Sequence, residues 1–519
     1  MTSRLRFLPA VAATAALAAA LTVAVPLKGA WAAGPSDTLR VAEMWEVDNL
    51  DPARSGTFVK EKAMVAETLV DADPDFTLKP CLAVSWKRDG ELDWTFQLRS
   101  GVLFHDGTPL TAAAVVESLS RAYEISPALK SMAQVDSVTA EGDAVVHFHT
   151  SAPAPMLPAT LVRANLAIAA PNSEKTPEGV ITLPIGTGPY KVAGWQRAAR
   201  IVELERNGDY WGEDKPTIDK IVYRSVPDPS TRSLEIQKGD IDFVPDVPYG
   251  DLDMLAAKGL HTSRHITARV YQMAFGSVAE GPFADVRVRR AVSHAIDRAA
   301  IVDRVLFGMG QPAAGPFPES MAFAAKGLKV PAYDPKAAKA LLAEAGWVEK
   351  GGVRQKDGTP FEVTLYTYPQ RPGLPPMATA IQGMLGQIGI QASVKILDWS
   401  AILKKMRPQD MRIVASASAM YPDPDFFLRG HYYSKGNNNV WGYSNPHIDA
   451  LFAKGLATSD PAGRKAAYDG IQKIVALEEP TILISYYGVN IVMKPEVKGF
   501  VFNPVAHDYS LGAGLRLDR

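Results

Sequence analysis

The pattern of hydrophobic and polar positions switches repeatedly between the period of a strand and the period of a helix. Residues 39–45 are predicted to form a first strand, and a helix is predicted near residues 57–70. A later helix has a clear start, because Asp334 can cap it and Pro335 takes its first position, and Gly346 ends it. This alternation of elements is typical of an α/β fold.

Residues 361–399 give the most specific prediction. Residues 361–368 are predicted to be a strand, residues 376–388 an amphipathic helix, and residues 391–397 a second strand. Such a βαβ unit has parallel strands and a right-handed crossover. Residues 412–419 are predicted to add one more strand.

The loops that follow these strands are the predicted place for a ligand. Open α/β sheets bind ligands in the crevice beyond the carboxyl ends of their strands. Here those loops carry Arg371, Trp399 and Tyr421, and the first strand ends at Met44 and Trp45.

Composition and charge exclude several classes of protein. A chain of 519 residues is long enough for about three domains or lobes at ~150 residues each. Its 55 Lys and Arg residues balance 56 Asp and Glu residues, which argues against a nucleic-acid partner. One cysteine, Cys81, excludes an intramolecular disulfide and a multi-cysteine metal cage. We expect no cofactor.

The first 32 residues are typical of a secretory signal peptide. Arg4 and Arg6 precede an apolar run at residues 8–25, and Ala30 and Ala32 form a small-x-small cleavage site. No cysteine lies near the cut, so we expect no lipid anchor. The predicted location is therefore the periplasm.

Enzyme and metal signatures are weak or absent. The sequence has no G-x-S-x-G, S-x-x-K, Walker A or H-E-x-x-H motif. His147 and His149 would share one face of a strand, but a half-exposed strand face explains them better than a metal site. His261 and His265 are likewise expected in a strand or loop. A hydrolase remains only a remote alternative, and we expect no enzymatic activity.

Seven segments, in order, resemble family 5 of the extracellular solute-binding proteins of ABC importers, which includes peptide- and nickel-binding members. Together they span nearly the whole chain after the predicted signal peptide. They are LAVSWKRDGELDWTFQLRSGVLFHDGTPLTA at 82–112, IGTGPYKV at 185–192, RNGDYWG at 206–212, PDPSTRSLEIQKGDID at 227–242, FADVRVRRAVSHAIDR at 283–298, YDPKAAKALLAEAGW at 333–347 and YPDPD at 421–425.

This resemblance implies a two-lobe periplasmic-binding-protein fold of the class II type. Lobe I would comprise residues 36–270, with a small subdomain inserted at about 85–185, and would take back residues 485–519. Lobe II would comprise residues 271–484. Hinge closure would enclose a solute between the lobes, and a monomer would deliver it to permease subunits in the inner membrane.

The resemblance also directs attention to particular ligand-binding positions. Arg371 matches the loop that supplies a carboxylate-binding arginine in dipeptide-binding relatives. Met420 stands where those relatives hold the ligand's amino group with an aspartate, so Asp423 or Asp425 would have to replace it. Ser418 stands where the nickel-binding branch has an aromatic residue.

Aromatic and amide side chains complete the candidate site. They suit a mostly polar solute of modest size, with rings stacking on its apolar parts. The predicted ligand-binding residues are Trp45, Arg371, Trp399, Met420, Tyr421, Asp423, Tyr433, Asn438 and Trp441. The leading hypothesis is a peptide-like, carboxylate-bearing solute. The alternatives are nickel or another metal as a histidine or opine-type chelate, touched by His431, Tyr432 or Tyr433, and another amphipathic small molecule.

Overall fold

A mixed sheet of 11 strands organises the part of the chain that the computed structural model describes, residues 37–416, 421–458, 460–507 and 509–519. Ten strands follow one another across the sheet, and an eleventh, Gly310–Pro312, pairs with the sixth. In spatial order the ten are Tyr190–Gln196, Ile201–Arg206, Lys220–Ser225, Thr38–Glu43, Phe243–Pro245, Thr481–Met493, His261–Phe275, Met411–Ser416, Glu362–Thr367 and Gln391–Ile396.

Two long antiparallel strands, His261–Phe275 and Thr481–Met493, run through both halves of this sheet. We call them the central strand pair. Their register shifts between Ile266 and Val270, so one end pairs with the first half of the sheet and the other end with the second half. The interruption lies close to the predicted lobe bounds at 270/271 and 484/485, which themselves stay a prediction.

The predicted βαβ unit is confirmed. Glu362–Thr367 and Gln391–Ile396 are parallel neighbours in continuous register, and the helix Leu374–Gln387 connects them. The next predicted strand is present as Met411–Ser416, and residues 417–419 of that prediction lie outside the described residues.

The predicted helix near residues 57–70 is wrong in its length and form. A short helix, Pro52–Gly56, leads into the π-helix Thr57–Lys62, and the chain then leaves the helical path. The carbonyl groups of Met64 and Val65 accept hydrogen bonds from Tyr190 and Gly188 instead of continuing a helical turn. A distant loop therefore overrides the local helical preference.

A separate four-stranded antiparallel sheet lies within the predicted subdomain. Its order is Ala83–Arg88, Asp93–Leu98, Val145–Thr150, Val135–Glu141. The sequence also predicts strands at 94–98 and 144–148, and the strands Asp93–Leu98 and Val145–Thr150 confirm both. His147 and His149 lie on its half-exposed face, where they pair with Glu141 and Asp93. No group of three metal-ligating side chains occurs among the described residues.

The remaining elements surround these two sheets. The α-helices are Pro52–Gly56, Ala112–Ile125, Pro127–Ala133, Leu157–Thr160, Pro229–Lys238, Leu252–Ala257, Val286–Ala295, Arg298–Ala300, Pro335–Glu344, Leu374–Gln387, Trp399–Lys405, Pro424–Tyr432, Pro446–Ala457 and Pro461–Glu478. Single turns of π- or 3₁₀-helix are Thr57–Lys62, Ile301–Val305, Ala164–Leu166, Tyr249–Asp251 and Pro282–Ala284. Short strands outside both sheets are Val70–Ala72, Leu78–Pro80, Glu174–Lys175, Ile181–Leu183, Val348–Lys350, Val353–Lys356, Thr359–Pro360, Val497–Lys498 and Arg516–Leu517.

Two local predictions concern single residues. The helix Pro335–Glu344 begins as expected, with the Asp334 side chain accepting from the backbone of its first turn. Cys81 is buried, as its apolar neighbours suggest.

Within the described ranges, no helix combines the length and apolar character that crossing a bilayer requires. The predicted signal peptide lies outside those ranges.

Candidate functional site

The candidate site is a cavity of about 940 Å³ at the carboxyl ends of strands from both halves of the large sheet. Four predicted residues line it: Trp45, Trp399, Asn438 and Trp441. Its lining also includes Glu46, Asp48, Gln272, Tyr368, Asp398, Arg412, His431 and Asn437.

Trp45 reaches the cavity because the first strand is turned outward at its end. The buried Glu43 side chain accepts hydrogen bonds from the backbone N–H groups of Met44 at 2.9 Å and Trp45 at 3.2 Å. Its other carboxylate oxygen accepts from the Tyr509 hydroxyl at 2.7 Å. Glu43 therefore fixes the point at which the strand presents its indole.

Trp399 and Trp441 reach the same cavity from two other elements. Trp399 is the first residue of the helix Trp399–Lys405, directly after the edge strand of the βαβ unit. Trp441 lies in the loop after the helix Pro424–Tyr432. The Asn439 side chain donates to the carbonyls of Tyr433 and Tyr443 and so organises this loop, while Asn438 lines the cavity.

The floor of the cavity is formed by the two sheet strands Met411–Ser416 and His261–Phe275. They are antiparallel, and Gln272 stands opposite Val414. Residues directly opposite one another share a face, and so do residues two apart on a strand. Gln272 and Arg412 are therefore diagonal neighbours on the face that lines the cavity.

Arg412 places a positive charge in this floor. The side chain is only 6% exposed, and its guanidinium carbon lies 5.7 Å from the centre of the Trp399 ring and 5.8 Å from that of Trp441. Burial lowers the pKa of Arg412 to about 10, which still leaves it charged at neutral pH. No carboxylate among the described residues forms an ion pair with it.

His431 adds a neutral imidazole to the cavity wall. Its Nδ1 donates to the Phe427 carbonyl at 2.8 Å, and its ring stacks on Phe427 with the ring centres 4.3 Å apart. Burial lowers the pKa of His431 to about 4. At neutral pH its Nε2 therefore carries a lone pair.

Arg371 lies in an adjoining cavity of about 350 Å³, which shares Trp45 and Glu46 with the larger one. Its guanidinium is buried and lies 3.2 Å from Oδ2 of Asp246, a carboxylate of the protein itself. It is also 5.3 Å from the centres of the Trp45 and Tyr487 rings. Arg371 thus has an internal counter-ion beside the predicted ligand space.

Three other predicted residues that the structure describes do not line the larger cavity. Tyr421 lines a polar cavity of about 160 Å³, where its hydroxyl lies 3.3 Å from Nε2 of His507. Tyr433 lines a further cavity of about 290 Å³. Asp423 caps the helix Pro424–Tyr432 and pairs with Arg464 at 2.7 Å. Met420 and Ser418 lie outside the described residues.

Sequence reasoning missed Arg412 and Gln272. Each was available as a signal, because both are polar residues inside strands whose neighbours are almost all buried and apolar. Tyr432, named as a possible chelate contact, is a core residue whose hydroxyl bonds to Thr481. Arg412 and Gln272 lie on the face of their strands that lines the cavity, whereas the Tyr432 side chain packs into the core.

Comparison with known proteins agrees with this geometry and identifies the class of protein. The fold is that of a two-lobe α/β binding protein of the periplasmic type. The family model for bacterial extracellular solute-binding proteins, family 5 Middle, matches residues 77–439. This chain belongs to that family. The expected fold class is thereby confirmed.

Individual relatives bind different solutes, as their names state. The chain is 30% identical to the oligopeptide-binding protein AppA of Bacillus subtilis over 474 residues, which cover 86% of this chain and 85% of that protein. It is 31% identical to the nickel-binding periplasmic protein of Escherichia coli over 470 residues, covering 86% and 88%. The crystal structure of NikA from Brucella suis in complex with Fe(III)-EDTA is 27% identical and superposes with a TM-score of 0.83, covering 92% and 99%.

Proposed function

We propose that this protein is the solute-binding component of an ABC importer and captures a peptide-like, carboxylate-bearing solute in the 940 Å³ cavity. The observation that carries the proposal is the composition of that cavity, with three indole rings on its walls and one guanidinium in its floor. A volume of this size suits a small organic ligand, for which such sites typically offer 300–1,000 Å³.

Each wall has a physical task in this proposal. Trp45, Trp399 and Trp441 offer flat apolar faces to the hydrocarbon parts of the solute. Asn438 offers an amide that can donate to and accept from peptide groups. Nothing in the arrangement calls for a covalent step, so the solute leaves unaltered.

Arg371 would serve the longer members of the same ligand class. Because Trp45 and Glu46 border both cavities, a solute that extends past them enters the space beside Arg371. Its planar guanidinium suits a carboxylate. The ligand would then share Arg371 with Asp246.

The mechanical part of the proposal is closure of two lobes over the solute. Lobe I would be residues 36–270 with 485–519, and lobe II residues 271–484. The register shift of the central strand pair between Ile266 and Val270 supports a hinge there, because hinge motion is absorbed by the few residues at which the chain passes from one lobe to the other. Residues 1–32 would direct a monomer to the periplasm, where it meets the permease.

The test combines recovery of the natural solute with titration calorimetry. Mass spectrometry of material released by unfolding the protein should identify a carboxylate-bearing solute that pure protein does not convert. Titration with peptide pools should give saturable binding, and Arg371→Ala should weaken the longer peptides most. Conversion of the released solute by the pure protein would overturn the non-enzymatic reading.

A second candidate, a metal bound as an organic chelate, is favoured by one observation. The neutral His431 imidazole lines the cavity and keeps Nε2 available as a ligand. Since the described residues form no group of three metal ligands, the chelator would have to supply most of the coordination. Metal analysis with and without added histidine or opine-type chelators separates this candidate from the first.

A further inference from the structure

We propose that Arg412, Trp441 and Gln272 form a subsite for a ligand carboxylate that has an N–H group close beside it. We call these three residues the Arg412 subsite. The inference rests on the proposed function and specifies how the solute is held. A peptide's C-terminal residue and the amino-acid arm of a chelator both offer this chemistry.

Arg412 differs from three other buried arginines in the groups to which it donates hydrogen bonds. Arg232, Arg289 and Arg298 are equally buried, and each donates to three or more backbone carbonyl groups. Among the described residues, the Arg412 side chain donates only to the sulfur of Met406, at 3.5 Å. Thioether sulfur is a weak acceptor. A buried cation with so little compensation is costly unless a ligand supplies the missing acceptors.

The two indole rings explain how the free protein tolerates this charge. Trp399 and Trp441 each lie within 6 Å of the guanidinium carbon, the range of a cation–π attraction. That attraction uses the ring faces and leaves Nε of Arg412 buried without a hydrogen-bond partner among the described residues. Arginine can present two parallel donors to a carboxylate, so one ligand group can satisfy several of them at once.

Two more buried polar atoms in the same cavity have no partner among the described residues. They are Nε1 of Trp441, which can only donate, and Oε1 of Gln272, which can only accept. Both side chains are at least 98% buried. In the proposed complex, Nε1–H of Trp441 therefore donates to the ligand carboxylate, and Oε1 of Gln272 accepts from an N–H group of the ligand.

The charges around the cavity favour a carboxylate over a more highly charged anion. Arg412 is its only cation among the described lining residues, whereas Glu46, Asp48 and Asp398 all border it. A doubly charged anion such as phosphate would be repelled by those carboxylates. A ligand with one carboxylate and a nearby N–H or ammonium group complements both the positive charge of Arg412 and the negative charges of the cavity carboxylates.

The test measures acid-against-amide preference by calorimetry. The probes are a tripeptide pool with free C termini, the same pool C-terminally amidated, nickel with L-histidine, and nickel with histidinamide. Wild-type protein should bind the free acid of its preferred class about 10- to 100-fold tighter than the matching amide, the effect of one charged hydrogen-bonded contact. The class that shows this preference identifies the source of the carboxylate.

Variants assign the preference to residues. Arg412→Gln should lose it, Arg412→Lys should keep part of it, and Trp441→Phe should reduce it several-fold. Gln272→Met should weaken all four probes, whether acid or amide. The control Arg264→Gln, which removes an exposed guanidinium paired with Asp253, should bind as wild type does.

The outcomes distinguish this inference from the function on which it rests. If wild type and Arg412→Gln bind acid and amide alike, the Arg412 subsite is overturned and the proposed function stands. If wild type binds none of the four probes, both are overturned. The midpoint of thermal unfolding gives a second readout: without ligand, Arg412→Gln should unfold at a higher temperature, and a lower one would show that the guanidinium is structural.

Discussion

Glu67 is a carboxyl group held by three hydrogen-bond donors deep in the polar cavity beside Tyr421. Thr187 donates at 2.8 Å, Tyr210 at 2.9 Å and the Trp211 indole at 2.7 Å. Such donors favour the charged form, yet burial outweighs them and raises the pKa of Glu67 to about 7. The group is thus close to half protonated at neutral pH.

This raised pKa predicts how stability depends on pH. The unfolded chain, with a carboxyl pKa of 4.5, loses this proton before the folded protein does. Between those pKa values the folded state binds more protons, so the contribution of Glu67 to the free energy of unfolding falls as pH rises. Glu67→Gln should remove that fall, worth up to about 3 kcal/mol, in urea unfolding measured from about pH 4.5 to 8.

The matched control is Glu124→Gln, which changes an exposed glutamate in the helix Ala112–Ile125. It should leave the pH dependence of unfolding as in wild type. Parallel pH profiles for wild type and Glu67→Gln would show that Glu67 is ionised in the folded protein throughout this range.

Some residues of the candidate site could be predicted from the sequence and others could not. The difference is whether a residue's role depends on nearby sequence or on groups that only folding brings close. Trp45 and Trp399 were identifiable because each stands at the end of a predicted strand, and Trp441 because it belongs to the set of aromatic and amide residues. Arg412 was not, since its significance lies in the carbonyl and carboxylate groups that fail to surround it. The sequence shows a polar residue in an apolar strand, but whether other groups of the protein compensate its charge is decided only by the folded arrangement.

At the scale of elements, Asp423 shows a predicted ligand residue acting as a helix cap. Its side chain accepts from the backbone N–H of Asp425 at 2.8 Å and receives two hydrogen bonds from Arg464. Both carboxylate oxygens are therefore used within the protein. The helix they hold leads into the loop that carries Trp441.

Asp423→Asn should lower stability without changing solute affinity. Asparagine keeps the cap but loses the ion pair with Arg464, so the free energy of unfolding should fall by about 1–3 kcal/mol. Asp334→Asn is the control, because that exposed cap forms no ion pair with any residue that the structure describes and its stability should change by less than about 0.5 kcal/mol. Calorimetric loss of solute binding in Asp423→Asn would contradict the structural role.

A close backbone approach joins two elements at Gly188. A Cβ atom there would lie 2.1 Å from the carbonyl oxygen of Met64. Gly188→Ala should therefore destabilise the protein by about 2–4 kcal/mol in denaturant unfolding. Gly208→Ala, where nothing lies within 4 Å, should be close to neutral. Equal stabilities for the two variants would mean that the loop can move away from Met64.

The same contact explains why some elements were predictable and one was not. The helix Pro335–Glu344 and the βαβ unit depend on signals within their own sequence, and both were found. The segment after Lys62 has helical periodicity, but Met64 and Val65 bond to a loop more than 120 residues away. Local pattern cannot contain that partner.

For the whole molecule, a cluster of Tyr421, Arg163 and His507 connects the two predicted lobes. This cluster lies outside the solute cavity. The Tyr421 ring lies 4.0 Å from the Arg163 guanidinium carbon, and the Tyr421 hydroxyl lies 3.3 Å from His507. Arg163 and His507 fall in the parts assigned to lobe I, and Tyr421 falls in lobe II. If the lobes move as proposed, this cluster stabilises the closed arrangement.

Tyr421→Ala should shift the equilibrium towards the open form. Loss of one cation–π contact and one hydrogen bond is worth about 1–2 kcal/mol, so apparent solute affinity should fall about 5- to 30-fold. Solution scattering should show a larger radius of gyration without solute than in wild type, and the wild-type value at saturation. Tyr333→Ala, whose hydroxyl bonds to Gln387 within the same predicted lobe, should leave both quantities unchanged. A wild-type radius that is identical with and without saturating solute would contradict closure itself, because two halves that enclose a ligand must draw together.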